Sequence, residues 1–397
     1  MTEAMPSLSH APAPPYTARA LPVMSRRPVL DRTLRTVGFE IVFPDGAAGL
    51  ETWQGELTSD RHPAYLSVTA GYLLEHESLP LDPGAVVLEL AGNARADRRL
   101  LERLSNLRAH GFRVILDDFS YRDELDPLLA CVDGVKLDVV RLGHRETLGE
   151  LEGLRNKHAM TFFAEGVDSE DVFEVFRDAG VDLFQGLFYE RPSLIGGAEL
   201  PVDHRAALGA LNELQSKGSD FDALEEIIRR DVALSYRLLR HVNSAYYGRS
   251  RTVGSVRDAL MLLGTRAVRQ WAFALVLSGL EHPPHALLST ALVRARTCEL
   301  VLAPYDAEVT GHGFTAGLFS LLDAVIGAPM DDLLAELPLA PAVAAAITRH
   351  EGVVGKALMK TIAYERGDFD APALAGHARN AMTIAYNDAV QWADSLQ

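Results

Sequence analysis

Short apolar runs alternate with amphipathic segments along the first half of the chain. The runs with the length of buried strands are Val86–Leu90, Phe112–Asp118, Val135–Val139, Thr161–Val167 and Leu183–Leu187. Stretches of helical period, such as Ser169–Ala179, separate them. Strands that alternate with helices indicate βαβ units and a parallel sheet. Six or more such units in roughly 170 residues favour a compact (β/α) barrel over a doubly wound sheet.

The pattern changes near residue 204, where strand-like runs stop and apolar residues recur with helical period. The segments with this period are Ala206–Gln215, Phe221–Arg229, Leu234–Val242, Val256–Leu263 and Ala267–Leu280, the last two separated by Gly264. They predict an all-α domain over residues 201–397, after a barrel over residues 23–200. Residues 1–22 are rich in Pro, Ala and Ser, and we expect them to form a flexible arm.

Local signals add detail to the helical half. Asp231 and Ser255 are predicted to cap helices. Asn243 is predicted to close a helix by satisfying backbone groups rather than to act in catalysis. Trp271 and Phe273 are expected in the core of this domain.

The chain is acidic, with 54 Asp and Glu against 38 Lys and Arg and a net charge of −16. This charge disfavours nucleic-acid polymers and anionic membrane surfaces as partners. It does not exclude a small anionic ligand, because a metal ion or a basic group can reverse the electrostatic field inside one site. Four arginines of the helical half are expected on solvated faces, with an acidic partner or the barrel as the alternative: Arg266, Arg269, Arg294 and Arg296.

The cysteine pattern fits a reducing compartment. Cys131 and Cys298 have neither CxxC nor Cys–His spacing, so the sequence predicts no disulfide framework and no structural zinc site. No run of about 18 apolar residues occurs, and the N-terminus lacks a charged-then-apolar signal pattern. We therefore expect a cytoplasmic protein without a membrane segment.

Acidic residues stand at the carboxyl ends of the predicted strands, where side chains of a parallel barrel converge. Glu40 lies in the first predicted strand, Gly38–Phe43. The same series contains Glu89, Asp117, Asp118, Lys136, Glu165 and Gln185. Carboxylates in one cavity repel each other unless a cation neutralises them, and an all-oxygen set suits Mg²⁺ or Mn²⁺. Such ions commonly activate water against a phosphodiester. The alternative is that each carboxylate is a solvated residue at a strand end.

At these residues the chain resembles the EAL domains, which are TIM-barrel phosphodiesterases that hydrolyse cyclic di-GMP with two Mg²⁺ or Mn²⁺ ions. The matching motifs, over about residues 24–200, are Glu40, Glu89, Asp117-Asp118-Phe119, Lys136-Leu137-Asp138, Ala164-Glu165-Gly166-Val167-Asp168 and Gln185-Gly186. The resemblance implies that Glu40, Glu89, Asp117, Asp118 and Glu165 bind metal. It also implies catalytic roles for Lys136, which handles the attacking water, and Glu165, and ligand-binding roles for Gln185 and Asp118.

The departures from the family pattern concern the metal and phosphate ligands. Pro44 replaces an Arg that grips the ligand phosphate, and Ser67 replaces a metal-binding Asn. Gly92 takes the place of a second Glu. Losing the Arg removes a bidentate phosphate clamp, and Ser is a poor substitute for an Asn carbonyl. We therefore expect catalysis to be lost or very weak and metal binding to be weak or absent.

The loop after the Asp-Asp-Phe motif also departs from the family. Ser120 replaces a Gly, and Tyr121–Leu125 runs straight into the next helix in place of a Gly/Ser-rich loop. In active members this loop organises the metals and the dimer interface and is held by a glutamate, which is Asp168 here.

The helical half resembles the HDOD domain, an all-α relative of the HD phosphohydrolases. The motifs that match are Val242-Asn243-Ser244-Ala245 and Leu263-Gly264, while Val232 replaces the usual Pro after Asp231. Gly317–Asp323 matches a segment found where an EAL domain precedes an HDOD domain. No His-Asp dipeptide occurs, and the histidines are scattered singly. The resemblance therefore implies a binding or scaffolding module and not a hydrolase.

These observations lead to a bacterial-type signalling protein in which a degenerate EAL barrel precedes an HDOD module. The main hypothesis is regulation through an unidentified protein partner of the HDOD module, biased by cyclic di-GMP or a metal in the barrel. The first alternative is an active phosphodiesterase that converts cyclic di-GMP to linear pGpG. The second is a scaffold that binds no nucleotide.

Overall fold

The computed structural model describes residues 23–51, 53, 62–92, 94–191, 202–217, 220–230, 232–243, 253–278, 280, 284–374 and 377–396. The expected flexible arm over residues 1–22 and the domain boundary near residue 200 lie outside this set, as do Asp231 and Ser244.

The first domain is a closed barrel of eight strands that follow one another in chain order. The strands are β1 Ser25–Asp31, β2 Thr36–Val42, β3 Ala64–Val68, β4 Val86–Ala91, β5 Arg113–Asp117, β6 Gly134–Asp138, β7 Thr161–Glu165 and β8 Leu183–Phe184. β1 runs antiparallel to both of its neighbours, β2 and β8. The other neighbouring pairs are parallel. The predicted (β/α) barrel is confirmed.

Two strand predictions need correction. The first strand is Ser25–Asp31 and not Gly38–Phe43, which contributes to the second. Asp31 closes the tight turn between β1 and β2, because its carboxylate accepts the backbone N–H groups of Thr33 and Arg35. The last strand ends at Phe184, so Gln185 lies just beyond the sheet.

Short helices cover the outside of the barrel. They are α1 Ala70–Glu75, α2 Arg98–Ala109, α3 Asp126–Leu129, α4 Val139–Leu142, α5 His144–Arg155 and α6 Glu170–Asp178. Asp97 and Ser169 cap α2 and α6 by accepting backbone N–H groups of the first turn. The loop after Phe119 passes through a single 3₁₀ turn, Asp123–Leu125, into α3, as the sequence predicts.

The described part of the second domain contains helices and no strand. The helices are α7 Val202–Lys217, α8 Phe221–Arg230, α9 Val232–Val242, α10 Val256–Ser278, α11 His285–Val301, α12 Ala307–Phe319, α13 Leu322–Ile326, α14 Met330–Glu336, α15 Pro341–Arg349, α16 Gly352–Glu365 and α17 His377–Ser395. The all-α prediction is confirmed. Trp271 and Phe273 are buried in its core, as expected.

The local predictions for Ser255 and Asn243 are also confirmed. The Ser255 hydroxyl accepts the Asp258 backbone N–H at 3.0 Å and caps α10. The Asn243 side chain donates to the carbonyls of Leu239 and Val253 at 2.7 and 3.0 Å. It also accepts the Val253 N–H at 2.8 Å, so it ties the end of α9 to the next segment.

Helix α10 joins the two helices predicted on either side of Gly264, whose φ of 81° breaks the helical path. Because of this joining, Val256–Leu277 is long and apolar enough to cross a membrane by length and composition, with a mean hydropathy of 1.3. The sequence pattern, with two separate helices on either side of Gly264, does not predict such a segment. Half of the most apolar part of this helix is buried within the protein, as is also found for core helices.

Strand β1 is the main point of attachment between the barrel and the helical domain. The Arg26 guanidinium is buried and makes two hydrogen bonds, of 2.7 and 2.9 Å, with the Asp394 carboxylate of α17. The Tyr386 hydroxyl donates to the Arg26 carbonyl at 3.3 Å. The Met24 backbone N–H donates to the Tyr364 hydroxyl of α16 at 3.3 Å. Both helices therefore fix the position of β1.

A buried ion-pair network forms the second attachment. Arg294 of α11 lies 2.9 Å from Glu365 of α16 and 3.3 Å from Glu190, which follows β8 in the barrel. The expectation that Arg294 lies on a solvated face is wrong, because its side chain is 3% exposed. The alternative, in which the arginine faces the barrel, is correct for Arg294, because it pairs with Glu190. Arg266 and Arg296 instead pair with Glu299 inside the helical domain.

The Glu365 carboxyl makes stability depend on pH. Burial raises its pKa to about 7, with Glu190 adding to the shift and Arg294 opposing it. A pKa above the unfolded value means that the group stabilises the fold below its unfolded pKa and loses this contribution as pH rises towards about 7. We therefore compare the free energies of unfolding of Glu365→Gln and the wild type at two pH values. We expect the difference, variant minus wild type, to be more positive at pH 8 than at pH 5 by on the order of 2 kcal/mol. Denaturant unfolding at both pH values measures the difference, and an unchanged difference contradicts it.

Candidate functional site at the carboxyl ends of the barrel strands

The candidate site is one layer of side chains inside the barrel. Beneath it lies an apolar layer formed by Val29, Tyr65, Val87, Ile115 and Phe163. Side chains alternate along a strand, so the residue two positions further towards the mouth also points inwards. Those residues are Arg27, Ser67, Glu89, Asp117 and Glu165, and Glu40, Lys136 and Gln185 complete the layer from β2, β6 and the end of β8.

Lys136 lies at the centre of this layer and is fully buried. Its Nζ atom is 2.9 Å from Glu89 Oε1 and 3.6 Å from Glu40 Oε1. It is 3.7 Å from Asp117 Oδ1 and 3.8 Å from Glu165 Oε2. One ammonium group thus contacts four carboxylates that arrive from four different strands.

Arg27 is a second cation in the same layer. Its Nη2 atom is 2.7 Å from Glu40 Oε2 and 3.6 Å from Glu165 Oε1. Sequence reasoning missed this residue because the strand that carries it was not predicted. The available signal was the Asp31 turn, which places Arg27 on a strand antiparallel to the one that carries Glu40.

The carboxyl groups have strongly different environments. Burial, reinforced by Glu40 and Asp117, raises the pKa of Glu89 to about 8 although Lys136 opposes the shift. Burial acts in the same sense on Glu40, but Lys136, Arg27 and Gln185 outweigh it and lower the pKa of that carboxyl. Burial also raises the pKa values of Asp117 and Glu165. For Lys136, burial is outweighed by the surrounding carboxylates, which raise its pKa well above the usual value.

The remaining predicted site residues occupy two different places. Gln185 is buried, and its Nε2 donates to Glu40 Oε2 at 2.9 Å. Asp118 lies outside the Lys136 cluster, with its side chain 68% exposed and 4.0 Å from Arg141 Nε. Its positive φ of 50° turns the chain away at this point. The structure therefore brings Glu40, Glu89, Asp117, Glu165, Lys136 and Gln185 together and leaves Asp118 at the rim.

The positions that depart from the EAL pattern lie around this cluster. Ser67 pairs in register with Glu89 on the neighbouring strand. Pro44 is exposed just beyond β2 and has no donor group for a phosphate. A Cβ atom on Gly92 would collide with the backbone carbonyl of Asp117. A longer side chain at position 92 therefore needs a shift of the adjacent backbone.

The donor chemistry of the cluster suits a hard divalent cation, but its arrangement does not. Within the described residues, no three or more Asp, Glu, His or Cys side chains are grouped as a metal site requires. The Lys136 and Arg27 side chains lie between the carboxylates and contact Glu89 and Glu40, while Glu89 Oε2 has no hydrogen-bond partner. As arranged, these residues do not fit the two-metal centre that the family resemblance implies.

A cavity of about 290 Å³ adjoins the site where the barrel meets the helical domain. On the barrel side it is lined by Arg27, Glu165 and Gln185. On the helical side it is lined by Thr290 and Arg366, among others. A small molecule in this cavity would contact both domains.

Comparison with known proteins finds matches to two domain families in different parts of the chain. The model of the EAL domain matches residues 72–192, and the model of the HDOD domain matches residues 200–330. The EAL match begins after β3, so Arg27, Glu40 and Ser67 precede it.

Two relatives align along most of the chain. The cyclic di-GMP phosphodiesterase CdgJ of Vibrio cholerae is 28% identical over 368 residues, covering 87% of this chain and 85% of that protein. The uncharacterized protein YuxH of Bacillus subtilis is 23% identical over 404 residues, covering 94% and 98%. Among solved structures, the calcium and cyclic di-GMP complex of Klebsiella pneumoniae BlrP1 is 19% identical with a TM-score of 0.35, covering 45% of this chain and 58% of that chain.

Removing the central ammonium should destabilise the barrel. In Lys136→Met the buried carboxylates lose their shared cation, which typically costs about 3–5 kcal/mol for a buried pair. Denaturant unfolding measures this loss, and Lys136→Met combined with Glu89→Gln should recover part of it. A loss below about 1 kcal/mol would show that the cluster does not depend on Lys136.

Proposed function

Because the chain joins an EAL domain to an HDOD domain, we propose that it is a signalling protein whose barrel binds cyclic di-GMP without hydrolysing it. The helical domain acts as the output module and contacts a protein partner. The observation that carries this proposal is the occupation of the carboxylate layer by two cations of the chain itself, Lys136 and Arg27.

Loss of hydrolysis is supported by what the site lacks for metal-assisted chemistry. Two-metal hydrolysis needs carboxylate oxygens free to hold ions about 3.5–4 Å apart. Here Glu40 is engaged by Arg27 and Gln185, and Glu89 by Lys136. Ser67 and Gly92 supply neither of the two further ligands that the family resemblance implies.

A receptor role is supported by the cavity between the domains. Its barrel wall contains the Arg27 guanidinium, 37% exposed, which can pair with a phosphate diester. Its other wall belongs to α11, α16 and α17. Since α16 and α17 also hold β1, a ligand that enters the cavity can alter the attachment of the helical domain.

The second candidate function is active hydrolysis of cyclic di-GMP to linear pGpG. The name of the Vibrio relative favours it, as does the presence of Glu40, Glu89, Asp117, Lys136 and Glu165 in one layer. In that case, Lys136 would handle the attacking water and the carboxylates would hold Mg²⁺ or Mn²⁺.

Hydrolysis is tested with the purified full chain, cyclic di-GMP and Mn²⁺ or Mg²⁺, with linear pGpG quantified by chromatography. We expect no product above that of the Glu40→Gln control. Turnover near a typical enzymatic rate of roughly 1 s⁻¹, abolished in Glu40→Gln, would establish the second candidate function instead.

Binding is tested by calorimetric titration of the full chain with cyclic di-GMP, once with Mn²⁺ and once with EDTA. We expect the same dissociation constant in both titrations, because the cations of the site belong to the protein. An Arg98→Gln variant, altered on an exposed face of α2, serves as the control. Absence of binding in both titrations would reduce the protein to a scaffold, and binding in Mn²⁺ alone would contradict the metal-independent receptor.

A further inference from the structure

The position of Arg27 is set by the pairing of β1 with β2. In this antiparallel pair Arg27 stands directly opposite Glu40, and opposite charges at facing positions attract. Proline at position 28 biases the preceding residue towards an extended backbone, which suits a strand. The hairpin therefore delivers the guanidinium to the Glu40 carboxylate.

Arg27 also reaches across the barrel mouth to a second acid. Its Nη2 atom is 2.7 Å from Glu40 and 3.6 Å from Glu165. The guanidinium thus lies between carboxylates that come from β2 and β7. Lys136 contacts the same two carboxylates from within the layer, at 3.6 and 3.8 Å.

The backbone that carries Arg27 is held from outside the barrel. Successive side chains of a strand point to opposite faces, so Arg26 points away from the site. Its guanidinium forms the paired hydrogen bonds with Asp394, and its backbone bonds to Tyr386. The helical domain therefore fixes the strand from which Arg27 enters the carboxylate layer.

We propose that the Arg27 guanidinium is the resident cation between Glu40 and Glu165 and excludes a divalent metal ion from the site. The inference deepens the proposed function, on which it rests, by naming the residue that makes the barrel independent of metal. Arg27 is a determinant of cation specificity here.

A guanidinium is suited to this role for two reasons. It stays charged at any pH at which the protein is folded, and its planar donors bind carboxylate oxygens without a fixed coordination shell. Mg²⁺ and Mn²⁺ in contrast need free oxygens on several sides. Arg27 contacts Glu40 and Glu165, and Lys136 contacts Glu89, so a cation of the chain itself already faces each of these three carboxylates, although Glu89 Oε2 has no hydrogen-bond partner.

The test is the binding of Mn²⁺ alone to the full chain, measured by the loss of the free-ion signal in electron paramagnetic resonance. Four proteins are compared: the wild type, Arg27→Gln, Arg27→Lys and the exposed-surface control Arg98→Gln. We expect the Arg27→Gln variant to bind Mn²⁺ at least about tenfold more tightly than the wild type. Arg27→Lys keeps a cation and should resemble the wild type, as should Arg98→Gln.

The gain in Mn²⁺ affinity of Arg27→Gln must come from the carboxylate layer. Adding Glu165→Gln to Arg27→Gln should therefore abolish it. Equal Mn²⁺ affinity in the wild type and in a folded Arg27→Gln protein would overturn the proposal. If Arg27→Gln fails to fold, Mn²⁺ binding to the wild type tests the proposal instead. Binding of Mn²⁺ to the wild type at about 0.1 mM that is lost in Glu40→Gln would show that Arg27 does not exclude the metal ion.

Turnover of cyclic di-GMP, assayed in the same samples, separates this inference from the proposed function. Wild-type protein that binds Mn²⁺ without turnover refutes the role of Arg27 and leaves a non-catalytic barrel. Wild-type turnover refutes the proposed function itself. Mn²⁺ binding gained by Arg27→Gln without turnover supports both.

Discussion

The barrel interior depends on the ion pairs that the Lys136 ammonium forms with the surrounding carboxylates. Carboxylates converging on a buried layer are tolerated only when their charge is balanced, because burial penalises each of them. Lys136 contacts four at once, and Arg27 adds a second positive charge at the mouth. Both of these cations are side chains of the protein itself.

Strand β1 connects this charge balance to the rest of the molecule. Its two consecutive arginines point in opposite directions, Arg27 into the carboxylate layer and Arg26 towards Asp394 of the helical domain. The Arg294 network with Glu190 and Glu365 attaches the helical domain a second time, next to the end of β8. These attachments place the helices beside the barrel mouth, and the proposed signalling role rests on this arrangement.

Much of the fold could be predicted from local patterns. Apolar runs located β4 to β7, and the serine cap and asparagine side chain around α9 and α10 follow from short-range chemistry. Glu40, Glu89, Asp117, Lys136 and Glu165 were placed together because parallel strands end on one side of a barrel. These predictions rest on interactions close in sequence or on the regular geometry of the sheet.

The predictions that failed concern contacts between distant parts of the chain. β1 contains consecutive arginines and a proline, so it lacks the alternation of a strand, and only its neighbours β2, β8 and α17 give those arginines partners. In the sequence, Arg294 has the surroundings of a solvated residue. Only the folded chain places Glu190 and Glu365 beside it.

The most direct test of the account is a crystal structure of the full chain soaked in MnCl₂, with anomalous diffraction recorded at the manganese edge. We expect density for the Arg27 guanidinium between Glu40 and Glu165, and no anomalous peak within the carboxylate layer. Two anomalous peaks about 3.5–4 Å apart among Glu40, Glu89, Asp117 and Glu165, with Arg27 displaced, would contradict it.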